Sequence, residues 1–430
     1  MNRGLLFSLP ESITAIPTLY AGTYLGEHIL LNSTWRWGYG MWAIVLPATA
    51  VPTVILMIWM GRRAKRMGLM AEKISFFHGA GHGPVNRAKH AVTKLDLFGA
   101  LLLAGGLAMT LIPISIAGRN NTDEWKTPRS IVLIIIGVLT VVAFTIWDGK
   151  YASNPIIPYR TIRERNVIVA CGSVIIIACA DSIYRPFLSS FLQVAGFYSP
   201  GAATRVDNSQ RISANIGFLV GGLGLKFVKN TKPFILLGAV MITLANGLPI
   251  YLTNIDGTHI ASEPAYITSK ALLGVGRGFA QVALQVSLQA ALQQEYVAVA
   301  TAVYLASLGF GSNIGVTISG AMWNSLLPRK LSAKFDAAEA KSIFGSIVVA
   351  KKYEGLERDA INECYRQTQQ TLAIASVCVS AVLLVVVWFS RNVTLEEEDK
   401  KRAAQADEEL AWAMKAQEDQ RPITEGQTRA

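Results

Sequence analysis

Five polar residues recur at every fourth position of an otherwise apolar stretch: Arg277, Gln281, Gln285, Gln289 and Gln293. That spacing keeps side chains near one helix face, with a small drift per turn. From Arg277 to Gln293 the helix rise is about 24 Å, most of a hydrocarbon core of about 30 Å. A polar stripe of that length faces lipid only at a cost, so it belongs against a neighbouring helix or a watery path. Amides donate and accept hydrogen bonds without adding charge, which suits a path for an oxygen-rich, largely neutral solute. They serve equally well as bonds between helices, and the spacing leaves both uses open. Gln285, at the centre of the stripe, is expected near the bilayer midplane.

A second candidate is Asp181, inside the apolar run ACGSVIIIACADSIYRPF, with Arg185 one turn on and Pro186 after it. A charged acid is expensive there, which points either to a proton carrier or to a structural Asp–Arg pair. Arg277 can attract an anionic solute, pair with Asp181, or snorkel to a surface. Asn208, Arg211 and Asn215 surround the expected start of a span, beside SPGAATRV, and read as loop and helix-start polarity or as a binding surface. Tyr353, Tyr365 and Arg366 lie in a polar stretch that reads, from residue types alone, as a solvated loop. His78 and His82 form HGAGH, too few ligands for a metal and broken by glycine.

The elements that must position these residues are membrane helices. Of 430 residues, 51% are hydrophobic and 16% charged, with a mean hydropathy of +0.36. The apolar residues fall in blocks far longer than barrel strands, so an all-α polytopic protein is expected. Ten spans are expected, at roughly 9–31, 40–60, 95–117, 130–148, 167–193, 211–228, 233–252, 266–291, 297–326 and 370–390. The net charge of +11 sits between apolar blocks, so membrane orientation explains it better than nucleic acid does. Residues 61–94 carry Arg62, Arg63, Lys65, Arg66, Lys73, Arg87, Lys89 and Lys94 against Glu72, which places that loop in the cytoplasm. Alternation then puts Lys226, Lys229, Lys232 and the tail from Arg391 inside. It puts the loops 118–129, with the sequon Asn120-Asn121-Thr122, and 327–369 outside. Cys171, Cys179 and Cys378 lie in apolar segments and Cys364 in a polar one, so no disulfide framework or zinc spacing is expected. With no GxxxxGK[ST] and no nucleophile elbow, ATP-driven transport and hydrolysis lack support.

TWRWGYGMWAIVLP from Thr34, KLDLFGALLL from Lys94, SSFLQV from Ser189, QVSLQAAL from Gln285, EYVAVATAVYLASLGFGSNIGVTISGAMWNSLLP from Glu295 and CYRQTQQTLAIA from Cys364 stand in a distinctive order. Together they resemble the fungal siderophore-iron transporter family of the major facilitator superfamily, over nearly the whole chain except the tail. The resemblance implies a non-enzymatic, cofactor-free, multi-pass transporter of the plasma membrane, or else of an endosomal or vacuolar membrane. It implies import of ferric siderophores with protons, by alternating access. Glutathione–proton or drug–proton exchange, or a non-transporting fragment, are the alternatives. It adds weight to Asp181 as a proton-coupling residue and to the stretch around Tyr365 as an outer capturing surface. The family pattern has fourteen spans, so residues 1–60 would hold the last two helices of an N-lobe whose first four are absent. Residues 61–94 would be a cytoplasmic loop, 95–165 an extra helix pair and loop, 166–390 a six-helix C-lobe and 391–430 a cytoplasmic tail.

Overall fold

In lipid every backbone N–H and C=O must be satisfied within the chain, and the apolar blocks accordingly form long helices. A computed structural model describes residues 34–66, 96–120, 127–151, 164–255, 259–290 and 294–394, with scattered single residues elsewhere. Twelve helices are placed among them: α1 Trp35–Arg66, α2 Leu97–Asn120, α3 Pro128–Lys150, α4 Arg165–Tyr184, α5 Leu188–Val194 and α6 Pro200–Val228 come first. α7 Lys232–Leu252, α8 Glu263–Ala290, α9 Gln294–Ser332, α10 Ala337–Gly345, α11 Ile347–Ala350 and α12 Gly355–Trp388 complete the set. Eight segments of the described residues are long and apolar enough to cross a membrane. The expected span 9–31 falls almost wholly outside the described residues, as do His78, His82, Gln293 and the tail beyond Thr394.

The helices fall into two compact units. The smaller holds Ile13–Met109 and Ile135–Ile156. In it Asp96 Oδ1 accepts from Gly99 N, capping the start of α2, and from Trp147 Nε1 of α3 at 3.1 Å. Gly106 lets α2 approach Gly137 and Val141 of α3.

The larger unit contains α4–α12, and its six long helices pack in a repeating pattern. α4 packs on α9 as α8 packs on α6, and α7 meets α8 as α12 meets α4. Three consecutive long helices, α4, α6 and α7, thus have counterparts in α8, α9 and α12, the nested three-plus-three arrangement of major facilitator lobes. Glycines set the close approaches. A Cβ at Gly278 would lie 2.5 Å from the carbonyl carbon of Gly217 on α6, and one at Gly276 would lie 2.7 Å from Met241 Cβ on α7. The GVGRG run therefore presents alternate glycines to two neighbours. At one end Arg165 Nε donates to Phe389 O at 2.9 Å and Lys232 Nζ to Trp388 O at 3.3 Å. Cations from α4 and α7 thus satisfy the last carbonyls of α12.

Three expectations about elements are corrected. The span set at 211–228 begins at Pro200: Ser199 Oγ accepts from Ala202 N at 3.1 Å, and Pro200 sits at the first helical position, where its missing N–H does no harm. Asn208 and Arg211 are therefore inside a helix. The stretch 327–369 is largely helical, and α12 starts at Gly355, which buries Cys364, Tyr365 and Arg366. The span 167–193 is broken after Tyr184, because Pro186 cannot continue the ladder.

Candidate functional site

The break in α4 sits one turn beyond Asp181, and three helices converge there. Asp181 is 5% exposed. Its Oδ2 lies 3.0 Å from Arg277 Nη1 of α8 and 3.8 Å from Arg185 Nη1. Its Oδ1 accepts from Gln210 Nε2 of α6 at 2.7 Å. The other end of that amide, Gln210 Oε1, accepts from Lys270 Nζ of α8 at 3.2 Å. Lys270 is 3% exposed, and its ammonium lies 5.0 Å from the centre of the Tyr184 ring, a cation–π distance. Outward from this core, Arg185 Nε donates to Asp207 Oδ1 at 2.9 Å, and Arg211 Nη2 lies 3.7 Å from Asp207 Oδ2. Four cations thus surround two carboxylates. Lys270 and Arg277 are seven residues apart, two turns of one helix, which explains how α8 delivers both to one place.

A cavity of about 450 Å³ opens beside the cluster, lined by Ser182, Arg185, Ser189, Thr204, Asp207 and Ser312 among others. Ser182 Oγ and Ser312 Oγ bridge α4 and α9 at 2.8 Å. A second cavity of about 430 Å³ shares Pro186 and Val316 with the first and is lined by Phe187, Trp323, Phe344 and Tyr365. Both volumes fall within the range of small-molecule sites, about 300–1,000 Å³.

Residues 3–382 match the model of a protein family described as fungal trichothecene efflux pump (TRI12). The chain belongs to this family. Its relatives include the siderophore iron transporter mirC of Emericella nidulans, 30% identical over 412 residues, covering 92% of this chain and 65% of the relative. They include the MFS siderochrome iron transporter C of Aspergillus fumigatus, 28% identical over 97% of this chain and 67% of the relative. The siderophore iron transporter 1 of Saccharomyces cerevisiae is 30% identical over 90% of this chain and 62% of the relative. The chain spans about two thirds of the length of these relatives. The resemblance to siderophore-iron transporters of the major facilitator type holds on this wider comparison.

Within this TRI12-family chain the polar stripe divides. Arg277 joins the ionic cluster through Asp181. Gln289 Nε2 donates to Thr301 Oγ1 at 3.3 Å, a bond between α8 and α9. Gln281 is buried, and its backbone carbonyl accepts from Tyr304. Gln285 is 4% exposed, and its Nε2 has no hydrogen-bond partner. α8 begins at Glu263, so its midpoint falls near Arg277, and Gln285 lies about 12 Å of helix rise beyond that midpoint. A buried amide with an unspent donor costs about 1–3 kcal/mol. Gln285→Leu, similar in bulk, is expected to raise the thermal unfolding temperature and leave ligand affinity unchanged. A lower unfolding temperature in purified protein would show that the amide has a partner.

Arg211 is paired with Asp207, and Asn208 lies beside them on α6. Tyr365 is 2% exposed and packs edge-on against Trp323 at 5.6 Å, so it is a core residue at the second cavity, not part of a solvated loop. Lys270, Gln210 and Asp207 were missed by sequence reasoning. The latter two sat in an assumed loop, and the Ser-Pro helix start was the signal that would have recovered them.

Proposed function

We propose that this protein moves a ferric siderophore chelate across a membrane, by proton symport with alternating access. Its α4–α12 bundle serves as the C-lobe, and Asp181 is the coupling carboxylate. The observation that carries the reading is a carboxylate held almost dry among Arg277, Lys270 and Arg185 in a lipid-length helix. Such a group stays charged only while cations neutralise it. Cargo that draws Arg185 toward the cavity removes part of that neutralisation, and a proton on Asp181 replaces it. Cargo and proton binding then favour each other by reciprocal linkage. The names of the relatives support a siderophore as cargo, and the iron stays within its chelator, so the protein need supply no metal ligand. The plasma membrane is the proposed location. Residues 1–60 would belong to the other lobe, 61–94 to a cytoplasmic loop, 95–165 to an inserted helix pair and 391–430 to a cytoplasmic tail.

A second reading, proton-coupled export of a small organic solute, draws support from the description of the family model. Glutathione or a drug would be such a cargo. Reconstitution separates the two. In proteoliposomes with an acidic exterior, a radioiron-labelled ferric hydroxamate is expected to accumulate saturably, and collapse of the gradient should abolish this. Gradient-driven movement of an organic solute in the opposite direction, with no movement of the chelate, would favour export.

A further inference from the structure

We infer that the two adjoining cavities form one groove selective for a cargo with an anionic group and a flat apolar part. The anionic group would bind at Arg185 and the apolar part against the Phe187–Trp323 stack. This deepens the siderophore reading and rests on it for the identity of the chelating core.

The polar end is electrostatically incomplete. Arg185 and Asp207 line the cavity, and Arg185 shares that one carboxylate with Arg211. Behind them Arg277 pairs with Asp181, and Lys270 reaches the same carboxylate only through the Gln210 amide. The guanidinium of Arg185 spends Nε on Asp207, while its Nη1 lies 3.8 Å from Asp181, beyond hydrogen-bond range. The planar fork therefore keeps donors for a carboxylate at the cavity, the geometry Arg recognises best. Ser182 and Ser312 add neutral hydroxyls beside it.

The other end is built for a plane. The Phe187 and Trp323 rings lie parallel, 1° apart in tilt and 4.4 Å between centres. Tyr365 meets Trp323 edge to face, at 80° and 5.6 Å between centres. Pro186 and Val316 line both cavities, so one ligand can reach both ends. The break in α4 at Pro186 places Arg185 on one side and Phe187 on the other.

The test is equilibrium binding to the full chain in lipid nanodiscs. The probes are one ferric tris-hydroxamate core carrying a free carboxylate, its methyl ester or an amine, together with iron-free 2-naphthoate. The carboxylate chelate is expected to bind about tenfold to a hundredfold more tightly than the ester, the range of a charge-assisted hydrogen bond. The amine should bind weakest. Arg185→Gln should erase the difference between acid and ester. Val316→Trp alters a side chain that is 42% exposed, so the fold should persist, and blocking the junction should weaken every chelate at least tenfold. Equal binding of acid and ester would overturn the inference and leave the siderophore reading standing. Binding of naphthoate that depends on Arg185, with no chelate bound, would keep the groove and remove the siderophore. Binding of neither would remove both. Full affinity in Val316→Trp would show that the cavities do not act together.

Discussion

Asp181→Asn is expected to abolish proton-driven accumulation and to destabilise the protein by roughly 3–5 kcal/mol, the usual result of removing one partner from a buried ion pair. Asn matches the acid in shape but neither takes up a proton nor neutralises a cation. Lys270 then remains nearly dry beside Tyr184, with Gln210 as its hydrogen-bonding partner. Arg277 keeps 21% of its side chain exposed, so water relieves part of the loss and the lower end of the range applies. A second substitution separates coupling from scaffolding. Arg277→Gln in the Asp181→Asn background removes the unmatched guanidinium, so much of the stability should return while accumulation stays absent. Thermal unfolding and gradient-driven uptake in the same proteoliposomes read both quantities. If the double variant accumulates chelate like the unaltered protein, Asp181 is a structural counter-ion and coupling lies elsewhere. If the single variant unfolds at the unaltered temperature, the ionic cluster is not a buried network.

The parts of this molecule legible in its sequence are those governed by local composition. Apolar blocks marked the long helices, because a span needs about 20 apolar residues and nothing else in the chain has that length. Asp181 and Arg277 stood out as charges in apolar surroundings, and the possibility that they pair is realised at 3.0 Å. What was hidden depends on helix starts and on packing between helices distant in sequence. Placing the start of α6 at Arg211 instead of Pro200 put Asp207 and Gln210 outside the membrane helix and out of consideration. Lys270 was not singled out within the span expected at 266–291, yet its side chain turns inward to Gln210. The stripe of glutamines was visible, but periodicity along one helix cannot say which neighbour each amide meets. Gln289 found Thr301, while Gln285 has an unpartnered Nε2.

Two glycines on α9 are expected to respond to the same substitution with opposite signs. Gly309 has no atom within 4 Å of a would-be Cβ, so Gly309→Ala should stabilise the helix by up to about 1 kcal/mol through propensity alone. Gly311, two residues on, lies against the backbone of α4, where a Cβ would come within 2.7 Å of Ile175 Cα. Backbone cannot move aside as a side chain does, so Gly311→Ala should lose more than the propensity gain, and overpacking of this kind costs about 1–3 kcal/mol. Gly311→Leu adds three further carbons to the same contact and should leave little folded protein. The consequence reaches the site, because Ser312 follows directly and its bond to Ser182 crosses the same interface beside the cavity. Size-exclusion profiles and unfolding temperatures of the three variants test the claim together. A Gly311→Leu protein as stable as the unaltered chain would mean that α9 and α4 do not meet at Ile175. The placement of the Ser182–Ser312 bridge, and of the cavity beside it, would fall with that contact.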